Sequence, residues 1–229
     1  MSKQTVELTN LDPRIREYQD GIRAKFAQDN KVAKKGQIVF VGSSLMEIFP
    51  IEKMQEGRGF SKVIYNRGVR ATTTADLLEH MDVCILDLEP SKVFINIGSN
   101  DIGFGVPEDV FLKNYDEILS RIKSSGQPLP KQPGTQVYAM AYYPVNTVAD
   151  FGESEEEHAS LYNTRNNEVF ALASDKVRQL AQKHGYQFIN VNDGLTDSDG
   201  NLRSELTFDG AHMLPAGYEI VLANMQKYF

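Results

Sequence analysis

A single cysteine, Cys84, is all the thiol chemistry this 229-residue chain carries. No intrachain disulfide can form, which agrees with a reducing compartment and sets the expectation of a cytoplasmic protein. Basic residues are also short: 24 Lys plus Arg stand against 31 Asp plus Glu, a formal charge of −7. A nucleic-acid partner needs a basic face to displace counterions from phosphates, and no Lys/Arg cluster stands out here, so none is expected. Long apolar runs are missing as well. Ile38–Val41 and Val93–Ile97 fall far below the roughly 20 residues that span a bilayer. The polar stretch Met1–Asn10 lacks the apolar centre of a secretion signal. His80, His158 and His184 lack the paired spacing of a zinc site, so no metal is expected. With no internal repeat, low-complexity tract or separating linker, residues 1–229 read as one domain.

What the chain does have is a 41% apolar composition, ample for a core and incompatible with a largely disordered chain. Short β-rich runs alternate with helical patterns. The runs are Gln37–Val41, Lys62–Tyr65, Lys92–Ile97, Gln136–Ala141 and Gln187–Val191. Most are apolar at consecutive positions, as strands covered on both faces should be. Helices are expected at about Asp12–Asp29, Leu45–Gln55, Thr73–Leu86, Pro107–Ser124, Glu156–His184 and Pro215–Lys227. Pro107 with Glu108 and Asp109 suits a first turn, and Lys183-His184-Gly185 suits a helix end. Five buried strands with intervening helices imply a three-layer α/β/α sandwich on a parallel sheet. Right-handed crossovers put its functional loops at the C-terminal strand ends.

Four clusters fall at those ends. Gly42-Ser43-Ser44-Leu45 follows the first run; it can present a serine hydroxyl and a free helix-start amide, although serine there more often caps the helix. Asn66-Arg67-Gly68 offers either a tight turn or a backbone N–H bare enough to approach an oxyanion. Gly98-Ser99-Asn100-Asp101 carries an amide donor that does not titrate, among ordinary turn formers. Asp209-Gly210-Ala211-His212 places an acid where it can fold back on an imidazole and fix its tautomer, or is a turn beside a solvent histidine.

Together the four clusters resemble the SGNH hydrolases, also called the GDSL family of esterases and acylhydrolases. The likeness runs from Gln37 to the C-terminus, and the four name-giving positions fall on Ser44, Gly68, Asn100 and His212. It implies a flavodoxin-like sandwich with strand order 2-1-3-4-5. It also implies that Ser44 attacks an ester carbonyl, that His212 is the base, and that Asp209 orients it. The amides of Ser44 and Gly68 and the Asn100 side chain would form the oxyanion hole. An acyl-serine intermediate follows, with no cofactor. Ser43 replaces the Asp of Gly-Asp-Ser-Leu, and the alignment of Leu45 favours Ser44 over Ser43 as nucleophile. The Gly-Ser-Ser and Asn-Arg-Gly blocks are most similar to the branch of platelet-activating-factor acetylhydrolase, which implies short acyl chains. Ser43, Arg70 at the pocket mouth, and Tyr142 and Tyr143 as an aromatic wall are the expected substrate contacts, although a solvated Arg and packed tyrosines explain the last three as well. The expected partner is a small ester. The rivals are a non-catalytic or flavodoxin-like binder cradling a phosphate or FMN at Gly42-Ser43-Ser44, and a metal hydrolase.

Overall fold

The computed structural model describes residues 12–125 and 134–229; the stretch Met1–Asn10 lies outside them. Five parallel strands form one sheet in the order β2-β1-β3-β4-β5. They are β1 (Ile38–Gly42), β2 (Ile64–Gly68), β3 (Lys92–Asn96), β4 (Gln136–Met140) and β5 (Gln187–Ile189). This is the expected sandwich and strand order. Alternate side chains point to opposite faces of a strand, so each inner strand feeds two cores. Val39, Val41, Val93, Ile95, Val137 and Ala139 enter one. Ile38, Phe40, Phe94, Tyr138 and Met140 enter the other.

The first core is covered by α4 (Thr74–Glu79), α5 (Met81–Cys84), α7 (Glu108–Ser125) and α9 (Asn167–Lys183). The second is covered by α2 (Ser44–Glu47), α3 (Ile51–Met54) and α10 (Pro215–Met225). Two further helices, α6 (Ser99–Gly103) and α8 (Glu155–Tyr162), follow β3 and β4 and reach the first core through Ile102 and Tyr162.

Helix α1 (Pro13–Asp29) starts where expected, with Asp12 accepting from the Arg14 amide at 2.8 Å and proline at the first turn. Its buried residues are Gln19 and Arg23, one turn apart on one face. That polar face is matched by polar partners. Gln19 Nε2 donates to the Arg70 carbonyl at 2.8 Å, and Arg23 pairs with the buried Asp76. Among the described residues no helix is long and apolar enough to cross a membrane.

Four expected elements differ. The helix expected over residues 73–86 is α4 and α5, divided at His80, whose backbone (φ −111°, ψ 22°) leaves the helical region. The helix expected over residues 45–55 is two short ones, because Pro50 has no N–H and disfavours a helical residue before it. The long helix expected over 156–184 divides at residues 163–166, where Asn166 caps α9 through the Val169 amide at 2.8 Å. Strand β2 lies further along than the run Lys62–Tyr65, taking in Asn66 and Arg67. Polar residues in a buried strand end are stable only when paired. Here Asn66 Nδ2 donates to the Met46 and Phe49 carbonyls, and Arg67 donates to Asn30 Oδ1.

Candidate active site

Register places Gly42 beside both Gly68 and Asn96, so the ends of β1, β2 and β3 lie side by side. Both glycines are needed for close approach. A Cβ on Gly42 would sit 2.1 Å from the Asn96 carbonyl oxygen, and one on Gly68 would sit 2.2 Å from the Glu47 amide nitrogen. The turn carrying Ser44 therefore rests directly on β2. Ser44 opens α2, and the first amides of a helix have no partner within it.

The loop between Thr207 and Met213 brings in the histidine. An isolated antiparallel bridge joins these two residues, and Thr207 Oγ1 donates to the His212 carbonyl at 2.7 Å. Gly210 has φ of 79°, and a Cβ there would strike the Asn146 carbonyl oxygen at 2.3 Å, so the tight return needs glycine. Asp209 Oδ1 accepts from the Ala211 and His212 amides at 2.9 and 2.7 Å. Its Oδ2 lies 2.6 Å from His212 Nδ1, and His212 Nε2 lies 2.8 Å from Ser44 Oγ. An ionised carboxylate only accepts, so Nδ1 carries the proton and Nε2 accepts from the serine hydroxyl. Burial pushes the Asp209 carboxyl up, but hydrogen bonds and charge from His212, with the two amides, outweigh it and hold the group below the usual carboxylate range.

Residues 53–220 match the model of the GDSL-like lipase/acylhydrolase family. The chain belongs to that family. A curated relative, the isoamyl acetate-hydrolyzing esterase of Saccharomyces cerevisiae, is 29% identical over 164 residues, covering 69% of this chain. The match covers 64% of the yeast protein, less than two thirds of its length. A solved structure from Streptococcus pneumonia, provisionally described as a platelet activating factor, is 31% identical, with a TM-score of 0.79 over 100% of this chain and 99% of that one. An acetylxylan esterase variant from Geobacillus stearothermophilus shares the fold at 14% identity and a TM-score of 0.60, over 86% of this chain and 95% of its own.

The family match begins after Ser44, so the place of the serine in this GDSL-like chain rests on the geometry above. Asn100, nearly buried, donates from Nδ2 to the Thr72 carbonyl at 3.0 Å, which leaves its second amide hydrogen to point elsewhere. Asp101 is buried and accepts from the Thr74 amide and hydroxyl at 2.9 and 2.5 Å, tying α6 to α4. Burial raises its carboxyl to about 6 against the pull of the Thr74 hydrogen bonds.

The other expected residues sit differently. The Gly68 amide is not open to a substrate, because it donates to Asn66 Oδ1 at 2.9 Å. Arg70 is held by Glu47 and Tyr18: its Nε donates to Glu47 Oε1 at 2.7 Å, its amide donates to Glu47 Oε2, and its guanidinium lies 4.5 Å from the Tyr18 ring centroid. Ser43 is buried, and its hydroxyl has no hydrogen-bond partner among the described residues. Tyr142 and Tyr143 are buried too; Tyr142 Oη donates to the Ile97 carbonyl at 2.8 Å. They adjoin a cavity of about 320 Å³ whose lining includes Ser174 and Arg178 but neither Ser44 nor His212.

Three residues at the site were not singled out in the sequence. Ala71 is a non-glycine residue at φ 56°, a conformation uncommon outside glycine. The amides of Gly68, Val69, Arg70 and Thr72 donate to Asn66, Gly42, Glu47 and Val69 respectively. The Ala71 amide has no acceptor among the described residues. Phe208, half-exposed, stacks on the His212 ring at 5.7 Å between centroids. Arg165 donates to Asn100 Oδ1 at 3.2 Å. None of the three lies in a recognisable block, although an exposed aromatic beside Asp209 is a visible cue. Among the described residues no group of three His, Cys, Asp or Glu side chains is placed to hold a metal ion.

Proposed function

We propose that the protein is a serine esterase that hydrolyses short-chain carboxylic esters through an acyl-serine intermediate. The observation that carries this reading is the unbroken line from Ser44 Oγ through His212 to Asp209, with contacts of 2.8 and 2.6 Å. His212 takes the serine proton as Oγ bonds to the ester carbon, Asp209 stabilises the imidazolium, and the proton then passes to the departing alkoxide. Water, deprotonated by the same imidazole, attacks the acyl-serine and restores the free hydroxyl. The negative oxygen of each tetrahedral intermediate is taken by the Ser44 amide, the Asn100 amide and the Ala71 N–H, the last standing in for Gly68, whose hydrogen is engaged.

The acyl preference draws on the yeast relative, whose name gives an acetate ester as its substrate. On the alcohol side the half-exposed Phe208 beside His212 offers an apolar surface to the leaving group. The rival phosphate cradle at Gly42-Ser43-Ser44 is weak because α2 is a single turn of four residues and a macrodipole needs length. The same reading places the enzyme in the cytoplasm, in keeping with its one buried thiol.

Hydrolysis of p-nitrophenyl acetate tests the proposal. Ser44→Ala abolishes turnover on this account, and Ser43→Ala, which removes only a buried unpartnered hydroxyl, leaves most of it. The reverse pattern would move the nucleophile to Ser43.

A further inference from the structure

A carboxamide serves an oxyanion only if its nitrogen faces the charge, since a half-turn about the last side-chain bond presents an acceptor instead. Something must therefore hold both ends of Asn100. The Thr72 carbonyl takes one Nδ2 hydrogen at 3.0 Å, and on the other end Arg165 Nη2 donates to Oδ1 at 3.2 Å. The same guanidinium donates from Nε to the Ser99 carbonyl at 3.2 Å, so it grips the residue before Asn100 as well. It lies flat against Gly103, at the far end of α6, where a Cβ would come within 1.9 Å of Nη2. One turn earlier, the buried Tyr162 donates to the Asp209 carbonyl. The segment where the expected long helix divides thus touches both the acid–base loop and the oxyanion arm.

From this geometry we infer that Arg165 is a positioning residue that fixes the Asn100 carboxamide with its nitrogen toward the reacting carbonyl oxygen. The assignment rests on the esterase reading above. A charged donor on Oδ1 does two things. It makes the flipped amide unfavourable, because Nδ2 would then face a cation. It also draws electron density toward Oδ1, which strengthens Nδ2–H as a donor. Burial lowers the affinity of the guanidinium for its proton, yet an arginine stays charged. Lysine, with one compact charge, cannot reach Asn100 and Ser99 in the same forked manner.

The test is steady-state turnover of p-nitrophenyl acetate by Arg165→Met, Arg165→Lys, Gly103→Ala and Asn100→Ala, singly and combined, with Ser44→Ala alongside. Arg165→Met is expected to lower kcat about 10- to 100-fold with KM nearly unchanged, since the hole acts in the transition state. Arg165→Lys recovers part of the loss. Gly103→Ala, which leaves the backbone unstrained but takes the seat of the guanidinium, lowers kcat in the same way. The deciding comparison is the double variant: in an Asn100→Ala background, Arg165→Met costs little further, because its effect runs through that amide. Full additivity of the two losses, or a Gly103→Ala and Arg165→Met pair with kcat near wild type, would overturn the assignment and leave the esterase reading standing. If Ser44→Ala turns over as fast as wild type, the reading itself fails and the assignment falls with it.

Discussion

At the residue scale the central arrangement is two hydrogen bonds, Ser44 to His212 and His212 to Asp209, which on the proposed reading turn an ordinary hydroxyl into a nucleophile. Ser44, His212 and Asp209 are 168 and 3 residues apart along the chain, and only the Asp209–His212 spacing could hint at contact. A family pattern made them legible where spacing could not. The Gly68 and Arg70 roles were not legible, because they depend on neighbours the local sequence does not announce. Asn66 Oδ1 occupies the Gly68 amide, and Glu47 holds Arg70. Ala71 was hidden for a related reason: a positive φ leaves no mark on an alanine. On the proposed mechanism Asn100→Ala removes one oxyanion donor and is expected to cost on the order of 100- to 1000-fold in kcat. His212→Ala and Asp209→Ala should each lower turnover, but the double variant should be no worse than His212→Ala alone, because the triad acts as a unit. Independent, multiplying losses in the kinetics would argue against that unit.

Helices and strands were legible where apolar periodicity ruled, as in β1, β3, β4 and α7, whose expected and observed ranges differ by a residue or two at each end. They were less so where side chains compete with the backbone. Asn166 starts α9 four residues after α8 has ended at Tyr162, and Asn66 and Arg67 make a strand end look like a loop. The same kind of polar bond joins elements across the site. Asp101, on α6, holds the first residue of α4 through Thr74. Because burial raises this carboxyl to about 6 from an ordinary 3.8, the folded state keeps a proton that the unfolded chain releases. Its contribution to stability therefore falls as pH rises from about 4 to about 6, by about 3 kcal/mol. Asp101→Asn keeps an acceptor for the Thr74 amide and carries no charge to bury. Urea midpoints measured at pH 4 and pH 7 should diverge less for this variant than for wild type. Parallel changes in the two proteins would show that Asp101 does not carry this dependence.

At the scale of the whole molecule, five strands share two cores, and α1 is fastened by Gln19 to the loop carrying Arg70 and by Arg23 to Asp76 on α4. We propose that the described residues act as one cooperative unit, in line with the absence of a separating linker in the sequence. The sandwich was legible from the alternation of runs, and its strand order from the family resemblance. The polar seat of α1 was not, since Gln19 and Arg23 look like solvent residues until Arg70 and Asp76 are seen opposite them. Cys84 offers a probe of that cooperativity. It is buried in the first core, and burial pushes its thiol up to about 12, so it neither meets nor attacks a reagent in the native fold. Labelling by a thiol reagent across a urea titration should rise in step with loss of helical circular dichroism. Labelling well ahead of that transition would reveal a separately opening region.

The most direct measurement is intact-protein and peptide mass spectrometry after rapid acid quench with p-nitrophenyl acetate. The account predicts one acetyl group, carried on Ser44, formed in a burst with the first equivalent of p-nitrophenol and absent from Ser44→Ala. An acetyl group mapped to Ser43, or undiminished turnover by Ser44→Ala with no covalent adduct, would contradict it.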